Sequence, residues 1–247
     1  MNLARGLEVL RAFSAQTPVL GNREISDRTG LPRPTVSRLT YTLTLLGYLN
    51  HDKQLQKYRL GAGVLAIAYP LLASTQVRQL AKPFMESLAR ATGCTVNLGV
   101  RDRCNVVYID SVRADSSNQH LPDIGSARPL LASAVGRALI LSSPEPERSA
   151  ILNYLKVQDP TGFKAMRALW ERDRKRFFAE GYCLSRGDWR VEIHAVAIPV
   201  RQPTGHPVLA MNCTLASHLA GDDELVSKVL PKLRDAVHQL ESGQGLI

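Results

Sequence analysis

A chain of 247 residues, 45% hydrophobic and 21% charged, carries enough apolar material for ordinary cores and is expected to form two domains, a small one of about 60 residues and a larger one. It has no run of 18 or more apolar residues and no basic-then-apolar leader, so neither a membrane span nor an exported precursor is expected, and the cytoplasm is the expected location. The net charge of +9 favours a polyanionic partner without specifying one. The four cysteines, Cys94, Cys104, Cys183 and Cys213, lie far apart with no C-x-x-C pair, which reads as reduced core residues.

Residues 22–60 hold the densest pattern. A short helix is expected from about Arg23 to Thr29, capped by Asn22 and ended by Gly30, whose freedom at positive φ suits a tight helix-to-helix turn. After Gly30-Leu31-Pro32 a second helix opens at Pro34, a residue pre-set for a first turn. Val36, Leu39, Leu43 and Leu46 recur at helical spacing and predict an inward stripe, off which Leu45 falls. Rotation by about 100° per residue puts Ser37, Arg38 and Tyr41 on the opposite face, with Arg33 and Thr35 at the N-terminal tip. Next come Tyr48-Leu49-Asn50, a polar loop through Gln56, and Lys57-Tyr58-Arg59-Leu60, where Tyr58 and Leu60 can pack while Lys57 and Arg59 offer cations to phosphate. Helix, turn, helix and basic hairpin in that order make a winged helix-turn-helix, which sets a helix in the major groove and a hairpin beside it. Any amphipathic surface helix has a polar outer face, so the helix alone does not decide the matter. Charge adds support: residues 1–60 carry nine Lys or Arg against four acids, a basic surface of the kind that raises affinity for nucleic acid.

From Gly61 to about Ser74, Val64, Leu65, Ile67, Ala68, Leu71 and Leu72 predict a linker helix with an apolar surface that packs against something, another subunit among the candidates. Pro70 is a potential kink. Gly61-Ala62-Gly63-Val64-Leu65-Ala66 matches the dinucleotide pattern G-x-G-x-x-A, but the preceding segment alternates and no strand with a terminal acid follows, so it reads as a helix start. Residues 76–247 then form the larger domain. A helix from Val77 to about Thr92 is ended by Gly93. Strands at Thr95–Val100 and Asn105–Asp110 flank a polar turn, and helices follow at Ser133–Leu141, Pro146–Leu155 and Lys164–Glu180. Strands return at Ile193–Val200 and Val208–Leu215 around Pro203-Thr204-Gly205, and a last helix spans Asp222–Leu240. This order implies an α+β fold, an antiparallel sheet with helices segregated on it.

These residues resemble the isocitrate lyase regulator (IclR) family of bacterial transcription factors. The resemblance rests on Leu3-Ala4-Arg5-Gly6-Leu7-Glu8-Val9-Leu10, Gly30-Leu31-Pro32 with Thr35-Val36-Ser37-Arg38-Leu39, Gly47-Tyr48-Leu49 and Tyr58-Arg59-Leu60-Gly61. It continues in Arg128-Pro129-Leu130 with Ala132-Ser133-Ala134-Val135-Gly136-Arg137-Ala138, then Gly181-Tyr182 and Val196-Ala197-Ile198-Pro199-Val200, in the family's order and over nearly the whole chain. It implies a GAF-like effector-binding domain after the linker helix, with a ligand cavity between the sheet and the segment that holds Ser133 and Ala134. Ser185, Ala195, Asn212 and Thr214 line up with ligand-contacting positions; Asn212 and Thr214 alternate along one strand, so both can point inward. The chain departs from the family pattern at Leu131, at Ser185-Arg186-Gly187 with Asp188 displaced, and at Glu192. Arg186, His194 or Arg128 could pair with an anion, and an arginine fork suits a carboxylate.

The scattered histidines, His51, His120, His194, His206, His218 and His238, suggest no metal site, and no cofactor is expected. Three classes of function remain. The first is a ligand-responsive regulator, a homodimer or dimer of dimers, that binds a double-stranded DNA operator and a small carboxylic acid, aromatic acids included, and controls genes for that acid's catabolism. The second is a sensor or protein-interaction module whose winged helix does not bind DNA. The third is an enzyme with Ser133, His194 and Asp188 as a triad, disfavoured because no G-x-S-x-G elbow surrounds Ser133.

Overall fold

A computed structural model describes residues 2–113, 124–203, 206–219, 221 and 223–245. The chain divides into two compact units, Met1–Thr75 and Gln76–Ile247.

The first unit contains α1 (Asn2–Arg11), α2 (Asn22–Thr29), α3 (Arg33–Leu45), the hairpin β1 (Leu49–Asp52) and β2 (Lys57–Leu60), and α4 (Ala62–Ser74). Val9, Phe13, Leu20, Ile25, Val36 and Leu49 form its core, with Leu39, Leu43 and Tyr58 packed against them. Gly30 ends α2 at φ 69°, the left-handed geometry the short turn demands. Two expectations are corrected here. Asn22 is the first helical residue and Gly21 the cap: the Glu24 carboxylate accepts the Gly21 N–H at 2.6 Å, while the Asn22 side-chain oxygen accepts from the Thr40 hydroxyl at 3.1 Å. Leu46 does not complete the inward stripe. It lies past the helix end and is 62% exposed, and buried Thr40 takes the interior place between Val36 and Leu43. The G-x-G-x-x-A run starts α4, with Gly61 as its cap, and the helix runs through Pro70. None of its residues is buried within the unit.

The second unit opens with α5 (Gln76–Thr92), β3 (Thr95–Asp102), β4 (Asn105–Val112) and the short β5 (Ala127–Pro129). Then come α6 (Ala134–Ser142), α7 (Glu145–Gln158), α8 (Pro160–Ala165), α9 (Arg167–Glu180), β6 (Cys183–Arg186), β7 (Ile193–Val200) and β8 (Leu209–Ala216). A single π-helical turn, Leu225–Val229, leads into α10 (Leu230–Gly243). The six strands pair antiparallel in the order β5-β4-β3-β8-β7-β6. Helices cover both faces of the sheet. α6 packs on one side of β3, β4, β7 and β8, whereas α5 and α10 pack on the other. Alternation along β8 serves both layers: Ala210, Asn212 and Thr214 face α6, and Leu209, Met211 and Cys213 face away.

Several boundaries differ from expectation. The segment 164–180 is two helices, and α8 begins earlier than expected because the Asp159 side chain caps it by accepting the Gly162 N–H, with Pro160 at its first position. β5 and β6 are strands that the pattern of alternation did not announce. Pro231 has no N–H to give to a helical ladder, and the ladder adjusts just before it by the π turn, in which the Leu230 N–H reaches the Leu225 carbonyl. Asp222, Thr204, Gly205 and His120 lie outside the described residues. Cys94, Cys183 and Cys213 are buried free thiols and Cys104 is half-buried. No described helix is long and apolar enough to cross a membrane.

Candidate functional site

The first unit presents α3 and the wing. Arg33, Ser37, Arg38 and Tyr41 are exposed and Thr35 is half-buried, so the polar face expected from rotation is the face left open. Arg33, Arg38 and Arg59 have no carboxylate within ion-pair distance among the described residues. Lys57 differs. Its ammonium pairs with Glu24 at 3.1 Å, and Glu24 also holds the Gly21 N–H. That backbone hydrogen bond, followed by the one from Lys57, holds the Glu24 carboxyl below the usual carboxylate value. Lys57 therefore serves first to tie the wing to α2. Exposed Lys53, at the wing tip, was missed by sequence reasoning; the Asp52 carboxylate orders that tip by accepting from the Gln54 and Leu55 N–H groups. Arg28, equally basic, is spent on the fold through the Ala12 carbonyl and the Thr17 hydroxyl.

The second unit has a pocket between the sheet and the start of α6, lined by Tyr108, Arg128, Ser133, Ala134, Val135, Ser185, Trp189, Arg190, Ile193, Ala195, Asn212 and Thr214. Its internal volume is about 30 Å³. Gly136 makes the close approach of α6 possible, since a Cβ there would lie 1.9 Å from the Leu130 carbonyl oxygen. Ser133 caps α6: its hydroxyl oxygen accepts from the Gly136 N–H at 3.2 Å and donates to the Pro129 carbonyl at 2.8 Å. Behind this turn lies Arg137, fully buried. It donates from Nε to Asp173, from Nη1 to the Leu131 and Ala132 carbonyls, and from Nη2 to the Leu184 carbonyl and Asp188. One side chain thus fixes the α6 entry, α9, β6 and the loop that carries Trp189.

Of the residues expected at the effector site, Ser133, Ala134, Ser185, Ala195, Asn212 and Thr214 come together here, and Arg186 and His194 do not. Strand alternation explains both corrections, because neighbours in a strand point to opposite faces. Ser185 and Ala195 face the pocket, so Arg186 and His194, paired in register, face away, and Arg186 meets Asp223 at 3.3 Å. The same geometry dissolves the triad of Ser133, His194 and Asp188, since Asp188 is held by Arg137 and Arg172 while His194 lies across the sheet.

Sequence reasoning placed no weight on Tyr108, Trp189, Arg190 and Ile193. Tyr108 is buried, and desolvation pushes its phenol up to about 12, so it stays a proton donor at any working pH. The Arg128 guanidinium lies 4.5 Å from the Trp189 ring centroid and 5.6 Å from that of Tyr108, and the Arg190 guanidinium is likewise 4.5 Å from Trp189. Burial, and then the charge of Arg190, pull Arg128 below its ordinary value. The lining holds two guanidinium groups and no carboxylate. Among the described residues no cluster of three His, Cys, Asp or Glu is arranged to hold a metal ion.

Comparison with known proteins agrees with both halves of this architecture. Residues 2–53 match the IclR helix-turn-helix domain and residues 69–242 the bacterial transcriptional regulator IclR C-terminal domain. The chain is 32% identical over 249 residues to the HTH-type transcriptional regulator TsaQ1/TsaQ2 of Comamonas testosteroni, covering 98% of this chain and 87% of that protein. It is 26% identical to the p-hydroxybenzoate hydroxylase transcriptional activator of Acinetobacter baylyi, covering 97% and 90%. A crystal structure of an IclR family transcriptional regulator from Brucella abortus superposes with a TM-score of 0.86 at 39% identity, covering 98% and 91%. With a winged helix-turn-helix in one unit and an effector-domain sheet in the other, the chain belongs to the IclR family of bacterial DNA-binding transcriptional regulators, which are not enzymes.

Proposed function

We propose that this regulator senses a small carboxylic acid, aromatic acids included, and controls the genes for that acid's catabolism. The observation that carries the reading is the pocket wall: two arginines, Arg128 half-buried and Arg190 exposed, with no acid opposite either. A partly desolvated guanidinium without a carboxylate is a ready partner for one. The similarity to a p-hydroxybenzoate hydroxylase activator supports an acid of this kind.

Residues 1–60 form the DNA-binding domain, 61–75 the linker and 76–247 the effector-binding domain. Arg33, Thr35, Ser37, Arg38 and Tyr41 approach the major groove, and Arg59, with Lys53 and the outer side of Lys57, meets phosphate. The working form is a homodimer or a dimer of dimers in the cytoplasm. Leu65, Ile67, Tyr69 and Leu71 of α4 are all more than 60% exposed, as is Leu3 of α1. An apolar hollow of about 560 Å³, bordered by Leu3, Leu7, Leu39, Leu43, Leu46 and Ile67, continues that surface. Effector binding biases the relative arrangement of two recognition helices on their half-sites.

The test is a gel-shift titration of the DNA flanking the protein's own gene at two salt concentrations, with and without a panel of small carboxylic acids. Selective binding that weakens steeply with salt and shifts with one acid supports the proposal. Binding that is absent or indifferent to salt overturns it and promotes the interaction-module reading.

A further inference from the structure

Asn97 and Asn212 lie directly opposite each other in the β3–β8 register, 0% and 1% exposed. Both face the α6 side of the sheet, where Asn212 lines the pocket. The Asn97 carbonyl oxygen is engaged with the Ser111 hydroxyl at 2.8 Å, which leaves its Nδ2 as the free end, and that nitrogen has no hydrogen-bond partner. Asn212 lies beside the Tyr108 phenol in the pocket lining, and its Oδ1 also has no partner. Residues facing each other in this way have Cβ atoms about 5 Å apart, so an unmatched donor and an unmatched acceptor border one small volume. Buried polar groups left unmet are costly and rare. A hydroxyl meets both needs at once, because its single oxygen accepts from the one and its proton goes to the other. Tyr108, protonated throughout, can add a donor beside them.

At the wall of the same pocket, Arg128 and Arg190 share Trp189, and neither has a carboxylate within ion-pair distance among the described residues. We propose that the effector is a hydroxy acid, its carboxylate held by Arg128 and Arg190 against Trp189 and its hydroxyl received by the facing amides of Asn212 and Asn97. The proposal rests on this pocket being the effector site and goes beyond it by fixing two groups of the ligand. A cavity of about 30 Å³ holds about two water molecules. An acid larger than that requires the lining to yield, and Trp189, in the wall beside Arg128, reports it: its fluorescence should change on binding.

The experiment is titration calorimetry of the full-length protein with two matched sets: 4-hydroxybenzoate, benzoate and 4-hydroxybenzamide; and glycolate, acetate and glycolamide. In at least one set the hydroxy acid should bind about tenfold or more tighter than the acid lacking the hydroxyl, and about tenfold or more tighter than the amide. Asn212→Leu should erase the hydroxyl preference and keep the preference for acid over amide. Arg128→Gln should erase the acid preference, and Arg128→Lys should restore part of it. Thermal melting of each variant confirms that it is folded, and Trp189→Phe identifies the source of the fluorescence change. Equal binding of the acids with and without the hydroxyl, with Arg128→Gln weakening both, overturns the hydroxyl assignment and leaves an acid sensor. Equal binding of acid and amide overturns the clamp. Binding of none of the six overturns the proposal and the acid reading together.

Discussion

Replacing Arg137 by Met removes the guanidinium that joins four segments of the second unit while nearly preserving the length of the side chain. Five hydrogen bonds go with it, two of them to carboxylates. Asp173, fully buried, keeps Arg176 at 2.6 Å and the Leu184 N–H at 3.3 Å, so it is not stripped bare. The Leu131, Ala132 and Leu184 carbonyls lose this donor. Removing one member of a buried ion pair costs about 3–5 kcal/mol, and the partial rescue of Asp173 by Arg176 is balanced by the three carbonyls, so that range is kept. For a unit of this size it corresponds to a melting temperature lower by roughly 6–20 °C. The assay is denaturant unfolding followed by the fluorescence of Trp170, which is buried on α9 in the same core cluster. Removing both partners in Arg137→Met with Asp173→Leu should recover part of the loss, since the carboxylate no longer needs a charge. A single variant within about 1 kcal/mol of the wild type would refute the view that Arg137 holds these segments together. Asp188, left with Arg172 alone at 3.3 Å, should also hold Trp189 less firmly and weaken effector binding.

Three further outcomes are expected. Arg38→Ala should weaken operator binding by about 1–3 kcal/mol with effector affinity intact, while Arg59→Ala should weaken all sequences alike and reduce the salt slope by about 1; equal behaviour of the two in binding titrations at several salt concentrations would remove the split between reading helix and wing. Glu24 is held below the usual carboxylate value by Gly21 and Lys57, so its ionised form stabilises the first unit above pH 4.5 and that contribution is lost as the pH falls through the lowered value. The melting-temperature gap between wild type and Glu24→Gln should therefore be open at pH 7 and close in acid; a gap that widens in acid contradicts the assignment. Gly136→Ala places a Cβ 1.9 Å from the Leu130 oxygen and should cost at least about 1–3 kcal/mol, read by scanning calorimetry, with loss of ligand binding.

How much was legible in the chain depended on whether a feature was local. The turn at Gly30 and the polar face of α3 follow from residues close in sequence, and the first unit holds them much as read; the alternation of the wing holds only in part, because Leu60, expected to pack, is 41% exposed and Lys57 turns back to Glu24. Asn22 was misplaced because its side chain answers Thr40, eighteen positions away, a partner no local pattern names. In the pocket, Asn212 and Thr214 were legible from alternation together with the family resemblance. Arg186 and His194 could have been excluded by the same rule that admitted Ser185 and Ala195, had their strands been registered against each other. Trp189 and Arg190 sit in a loop, and Tyr108 on a strand more than a hundred residues from Asn212. Only the sheet order brings them to one place. A half-hidden signal was present in Arg128, whose value as an anion partner depends on burial that a sequence does not show.

The link running from Lys57 through Glu24 to the Gly21 backbone is reinforced by the paired backbone hydrogen bonds of Leu20 and Tyr58, at 3.0 and 2.8 Å. Wing and α2 are thereby tied together before any DNA arrives. In the docking proposed above, with α3 in the groove and the hairpin on phosphate, little conformational freedom would be left to lose, and the spacing between the two would act as a ruler. A duplex whose groove width does not fit that ruler must itself deform to be bound. Selectivity for DNA shape would then originate in a carboxylate that never touches the nucleic acid.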